Sequence, residues 1–189
     1  GSVPVINALC DLYHPCQALA DFVTLAENFD DISAIKLAYV GDANNVSNSL
    51  MIMAAVTGVD FTLVCPEGHG PDEAMFNKAL KLSQSSGSKL VLNHDISALG
   101  QQDVIYTDTW VSMGSNTNIA DILATFKPYQ VNHELMAKSG ASIVMHCQPA
   151  HLDEEITTAL FDSDMSVAFQ SAENRMWAQN AVLVSLLAD

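Results

Sequence analysis

Arginine is nearly missing from this chain: Arg175 is the only one in 189 residues, and six lysines bring the basic side chains to seven against 22 acidic ones. A formal charge of −15 repels polyanions, which excludes nucleic acid and anionic membrane surfaces as partners. No apolar run approaches the roughly 18 residues that a membrane span needs, so the expectation is a soluble, cytoplasmic protein. Paired cysteine spacing is also missing. Cys10, Cys16, Cys65 and Cys147 are scattered, which fits a reduced compartment better than a disulfide framework. A metal set drawn from His14, His146, Cys147 and His151 matches no zinc signature, so no metal is expected. Nor is there a G-x-G-x-x-G fingerprint, and no nicotinamide or other cofactor is expected. Internal repeats and low-complexity linkers are absent.

What is present is ample apolar material, 49% of the residues, at the length of one ordinary domain. From residue 36 onward, short β-type runs alternate with segments of helical period, the pattern of βαβ units. The expected strands are 36–40, 60–65, 89–92, 103–107 and 142–146. They imply an α/β fold: a doubly wound, five-stranded, mostly parallel sheet of order 3-2-1-4-5 with helices on both faces. Helices are expected at Asn45–Thr57, closed by Gly58, and at Pro71–Ser85, stopping before Gly87. Ile96–Leu99 reads as one turn, and Ile119–Phe126 and His133–Lys138 as short helices. Two longer helices, about 14–28 and 174–187, flank the sheet-forming part. Leu19, Phe22, Val23 and Ala26 in the first, and Trp177, Ala181, Val184 and Leu187 in the second, form apolar faces that call for a cover.

Chemistry is expected where strands one, four and five end, because an open α/β sheet has its ligand crevice at the carboxyl ends around the point where chain direction reverses. Those exits carry Gly41-Asp42-Ala43-Asn44-Asn45, then Asp108 to Gly114, then His146 and Cys147. Asp108 and Ser112 can accept from an ammonium, while the Asn45 amide and a backbone N–H near Met113 can donate to a carboxylate. Such a set suits a zwitterionic amino acid. Taken singly, each group has a plainer use, since asparagine and aspartate after a strand also cap helices and serine also shapes turns. Cys147 lacks the surroundings of a protease nucleophile, with no carboxamide or carboxylate recognisably placed to orient a neighbouring histidine.

Together these segments resemble ornithine carbamoyltransferase over nearly the whole chain. The stretch Asp11-Leu12-Tyr13-His14-Pro15-Cys16-Gln17 is similar to that family's H-P-x-Q segment, Gly41–Asn45 to its G-D-x-N-N loop, and Asp108–Gly114 to its D-x-x-x-S-M-G loop. His146-Cys147-Gln148-Pro149 is similar to its H-C-L-P motif and Ala172-Glu173-Asn174-Arg175 to its A-E-N-R segment. The related aspartate carbamoyltransferases look different at the S-M-G and H-C positions, which favours ornithine as acceptor.

The resemblance implies transfer of a carbamoyl group from carbamoyl phosphate to ornithine, giving citrulline in arginine metabolism. It implies Asn45, Asp108, Ser112 and Met113 as ornithine contacts, and His14, Gln17, Cys147, Gln148 and Arg175 around carbamoyl phosphate. Cys147, Asp108 and Arg175 are the implied catalytic groups. An alkyl ammonium, with a pKa of about 10.4, must lose a proton before it attacks. Cys147 as a thiolate beside Asp108 would bind and help deprotonate it, while His14 and Arg175 stabilise charge on the carbamoyl oxygen. Two departures stand out. Gln148 replaces the family's usual leucine, which leaves the backbone carbonyl in place. The S-T-R-T phosphate loop and its whole domain are not in this sequence, and one arginine is a poor provision for a phosphate dianion.

The expected organisation is therefore a cloning scar at residues 1–2, an interdomain-type helix segment at 3–30 carrying H-P-x-Q, an ornithine-binding α/β domain at 31–170, and a C-terminal helix at 171–189 that contacts the missing domain. The chain is expected to be inactive alone, and the parent enzyme to be a homotrimer or a multiple of trimers. The alternatives are a carbamoyltransferase for a modified ornithine or another amine, and a non-catalytic amino-acid-binding domain.

Overall fold

The computed structural model describes residues 3–110 and 118–187. In chain order its elements are α1 (Pro15–Asn28), β1 (Lys36–Val40), α2 (Asn45–Thr57), β2 (Asp60–Val64), α3 (Glu73–Ser86), β3 (Leu90–Asn93), β4 (Val104–Thr107), α4 (Ile119–Phe126), α5 (His133–Ser139), β5 (Ile143–His146), α6 (Thr158–Phe161) and α7 (Ala168–Leu187), with 3₁₀ turns at Ile32–Ala34, Ile96–Ala98 and Lys127–Tyr129. The five strands form one parallel sheet of order β3-β2-β1-β4-β5, as the alternation of strands and helices predicts.

Local chemistry sets the element ends. The Asn44 side chain accepts from the backbone N–H groups of Val46 and Ser47, and the Ser47 hydroxyl returns the contact to the Asn44 N–H, a reciprocal cap that starts α2. Gly58, at φ 92°, closes it in a backbone region costly for other residues. Helix α3 begins at Glu73 rather than Pro71 because the Asp72 carboxylate takes the Ala74 N–H and becomes the cap. Helix α7 begins at Ala168, six residues before the expected Asn174, and α6 was not anticipated. Both begin in the segment 148–173, where apolar residues are spaced too irregularly to show a helical face.

The sheet divides the core by the two-residue period of its strands. Leu37 and Tyr39 of β1 point to a cluster with Phe22 and Leu25 of α1, Leu50 and Met51 of α2, Tyr106 and Met145. Ala38 and Val40 point the other way, to Ile105, Val144, Met136, Leu160 and Ala168. Helix α1 lies against α7, joined by polar contacts: Asn174 Nδ2 donates to Thr24 Oγ1 at 3.0 Å and to Glu27 Oε2 at 2.7 Å. The two apolar faces are only partly covered. Phe22 is buried and Leu19 half-buried, but Val23, Ala26, Trp177, Ala181, Val184 and Leu187 are exposed. Leu19, Val23, Ala178, Ala181, Val182 and Leu186 line an apolar groove between the helices. Among the described residues no helix is long and apolar enough to cross a membrane.

Candidate active site

β1 pairs with β2 on one side and β4 on the other, so chain direction reverses there, and the exits of β1, β4 and β5 open at one end of the sheet. The parallel register pairs Thr107 with His146, and the next residue of each strand is Asp108 and Cys147. Sequence reading placed these two in one cleft, and the Cys147 thiol donates to Asp108 Oδ1 at 3.0 Å. Asp108 Oδ2 accepts from Asn44 Nδ2 at 2.7 Å, so the α2 cap also holds the carboxylate. Burial, and then the negative charge of Asp108, push the Cys147 thiol well above its usual range. This corrects the expected thiolate: without a ligand, Cys147 is a protonated thiol that spends its proton on Asp108.

The second group of expected residues lies across α1 and α7. Arg175 Nη1 donates to Gln17 Oε1 at 2.7 Å and lies 3.5 Å from His14 Nε2. His14 is the cap residue of α1, fixed by its N–H donating to Ser49 Oγ at 2.7 Å. Burial and the nearby Arg175 cation lower its pKa, so the imidazole is neutral at pH 7. Arg175 Nε and Gln148 Nε2 are buried donors with no partner among the described residues, each free for a ligand oxygen.

The remaining expected contacts are less direct. Asn45 Nδ2 is taken by the Cys10 carbonyl at 2.8 Å, which anchors the N-terminal segment over the cleft. Ser112 and Met113 lie outside the described residues. His146, although next to Cys147, turns away: its Nε2 faces Glu155 Oε1 at 3.1 Å and its Nδ1 accepts the Gln148 N–H at 2.9 Å. With Nδ1 accepting a backbone N–H, Nε2 is the ring nitrogen that donates to Glu155. This clamp holds Gln148 at φ 57°. Asp108, His146 and Cys147 also offer ligand atoms within 4.8 Å of one another, but both His146 nitrogens are already spent, which leaves that trio a poor metal centre.

Sequence reading missed Asp21, Tyr106 and Ser171. Asp21 Oδ1 accepts from Ser171 Oγ at 2.6 Å and from Gln17 Nε2 at 2.9 Å, and its Oδ2 accepts from Tyr106 OH at 3.0 Å. The available signal was a carboxylate between Ala20 and Phe22, one helical turn after Gln17, on a side of α1 that had to face the protein interior.

An open parallel sheet whose strand exits hold a thiol–carboxylate pair, with an arginine on a flanking helix, defines an α/β ligand-binding domain. Residues 33–186 match the family model for the aspartate/ornithine carbamoyltransferase Asp/Orn binding domain, and residues 1–27 match that for the carbamoyl-P binding domain. The chain belongs to the aspartate/ornithine carbamoyltransferase family. It is 58% identical to the ornithine carbamoyltransferase of Shewanella oneidensis over 188 residues, covering 100% of this chain and 62% of the relative. To that of Moritella profunda it is 51% identical over 187 residues, covering 99% and 62%. The solved ornithine carbamoyltransferase of Pyrococcus furiosus superposes with a TM-score of 0.92 at 45% identity, covering 97% of this chain and 59% of that one. A solved N-acetyl-L-ornithine transcarbamylase superposes with a TM-score of 0.87 at 30% identity, covering 99% and 61%. The chain thus spans about three fifths of the length of these relatives.

Proposed function

We propose that this chain is the ornithine-binding part of an ornithine carbamoyltransferase, which moves the carbamoyl group of carbamoyl phosphate to the side-chain amine of L-ornithine and gives citrulline and phosphate. The observation that carries the reading is the Cys147–Asp108 contact at the shared mouth of β4 and β5. Asp108 is a buried acceptor, and a terminal ammonium supplies donors to both Asp108 and the Cys147 sulfur, replacing the thiol proton now spent there.

Catalysis requires the ammonium to lose one proton to solvent; the amine lone pair then attacks the carbamoyl carbon, the C–O bond to phosphate breaks, and the second nitrogen proton leaves with the phosphate. Arg175 carries a guanidinium charge and a buried Nε–H without a partner among the described residues, suited to the carbamoyl oxygen as negative charge grows on it. His14, neutral and 3.5 Å from Arg175, lines the same place. Gln17 is the acceptor that aims the guanidinium. Ser112 and Met113 complete the ornithine contacts in this proposal, with Asn45 joining them once its side chain leaves the Cys10 carbonyl.

Phosphate chemistry belongs to the carbamoyl-phosphate domain, whose family model meets this chain only at residues 1–27, and we propose that the chain alone does not turn over. Calorimetry with ornithine and with N-acetylornithine tests the acceptor. Ornithine is expected to bind and the acetylated compound not to; the reverse order overturns the assignment. A citrulline assay of the chain with both substrates should read zero, and turnover would refute the division of labour.

A further inference from the structure

Asp21 is 0% exposed and lies where α1, α7 and β4 meet, between the two groups of reaction residues. A carboxylate only accepts hydrogen bonds. Gln17 must therefore turn its NH₂ toward Asp21, 2.9 Å away, which leaves its carbonyl oxygen for Arg175 at 2.7 Å. Were the carboxylate replaced by an apolar group, the Gln17 amide would have no reason to keep that polarity, and the guanidinium would lose its fixed acceptor.

The other carboxylate oxygen acts on the thiol. Tyr106 is stacked on Tyr39 with ring centroids 5.9 Å apart, and its hydroxyl donates to Asp21 Oδ2 while lying close enough to Cys147 to act on the thiol. A phenol has one proton, and Tyr106 spends it on Asp21 Oδ2 at 3.0 Å. That proton is withheld from Cys147, whose own S–H goes to Asp108.

We propose that Asp21 is a positioning residue for the reaction site, fixing the Gln17 amide that aims Arg175 while holding the Tyr106 proton away from Cys147. One group on α1 thereby sets both the guanidinium on α7 and the thiol after β5. This rests on the reading of Arg175 and Cys147 as reaction groups. The charged and titratable groups around Asp21 are His14 on α1, Arg175 on α7, Tyr106 on β4, Asp108 after β4 and Cys147 after β5. Burial first of all raises the Asp21 carboxyl to about 6, against which its three hydrogen bonds and Arg175 pull down, so its ionisation is accessible to titration in the folded chain.

The lone arginine supplies the probe. A ¹⁵N-labelled chain gives a single guanidinium Nε–H signal, and its shift is expected to titrate with a midpoint near the Asp21 value of about 6. In Asp21→Asn that midpoint should vanish. A midpoint near 6 that survives unchanged in Asp21→Asn and is lost instead in His14→Gln overturns the proposal. In a Cys10→Ser background, alkylation of Cys147 should quicken about threefold in Asp21→Asn, because the Tyr106 proton, no longer held by a carboxylate, becomes available to the sulfur and favours the thiolate. An unchanged rate also counts against it.

Tyr106→Phe keeps the ring stack and provides a second test should Asp21→Asn fail to fold. The Arg175 midpoint should persist but move upward, because Asp21 has lost one donor, and Cys147 alkylation should no longer follow Asp21 ionisation. A Cys147 rate that tracks the Arg175 midpoint in Tyr106→Phe as in the parent refutes the coupling. None of these measurements contains ornithine or carbamoyl phosphate, so failure of the carbamoyl-transfer reading appears in the calorimetry and not here.

Discussion

Cys147 and Asp108 are 39 residues apart in sequence and 3.0 Å apart in space, and the strand register accounts for it. Thr107 and His146 are paired neighbours on parallel strands, so the residues that follow them leave the sheet side by side. The contact is built into the backbone, and loop conformation only refines it.

Removing the Asp108 charge should cost ornithine affinity most. A charge-assisted hydrogen bond contributes about 1.5–3 kcal/mol, so Asp108→Asn is expected to weaken binding about 10- to 100-fold, with Cys147→Ser milder because a hydroxyl still fits. Calorimetry on the two variants checks the order. An Asp108→Asn chain that binds as the parent does would place the ammonium elsewhere.

Stability should fall as pH rises from about 4 to 6. The folded Asp21 pKa is about 6 and the unfolded value 3.8, so in that window the native state holds a proton that the unfolded state has lost. The difference is on the order of 3 kcal/mol at 1.36 kcal/mol per unit. Below that window the trend reverses, because Asp31, Asp95 and Asp153, held below the usual carboxylate range by hydrogen bonds, lose their stabilisation on protonation. Urea midpoints across this range test it, and Asp21→Asn should flatten the descent from pH 4 to 6.

Glu155 should matter to fold and site together. It is 0% exposed and is the partner of His146 and of the His151 N–H. Glu155→Ala strands a buried imidazole donor, at a cost of about 1–3 kcal/mol, and loosens the turn that presents Gln148. Glu155→Gln keeps an acceptor and should lose less. Denaturation of both variants measures the gap, and equal losses would mean that the carboxamide cannot stand in for the carboxylate.

The open face of α7 should drive self-association. Trp177 is 55%, Val184 64% and Leu187 64% exposed, an apolar run along one helix beside the groove against α1. Sedimentation should show concentration-dependent association that Trp177→Glu together with Val184→Glu abolishes. A monomer at every concentration would count against it.

The sheet was legible because parallel strands buried on both faces read as apolar runs, as Leu37 to Val40 do, and because Asn44, Gly58 and Gly87 mark helix ends chemically. The positions of Asp108 and Cys147 followed from topology alone. Partners in three dimensions were not legible: nothing in the chain announces that Asn45 would meet the Cys10 carbonyl, that His146 would face Glu155, or that Asp21 would gather Gln17, Ser171 and Tyr106. Long-range pairing depends on how α1 and α7 pack, and their apolar faces, left open, gave no unique instruction. The thiol's protonation was misjudged for a related reason, since burial is a property of the assembled site.

Asp21 and Ser171 meet across 150 residues of sequence. A nascent polypeptide on the ribosome can align all five strands while α7 is still inside the exit tunnel, and until α7 emerges Asp21 has only solvent where Ser171 will stand. Closing so long a loop is entropically slow, so the Asp21 cluster is completed only after most of the sheet is already in place.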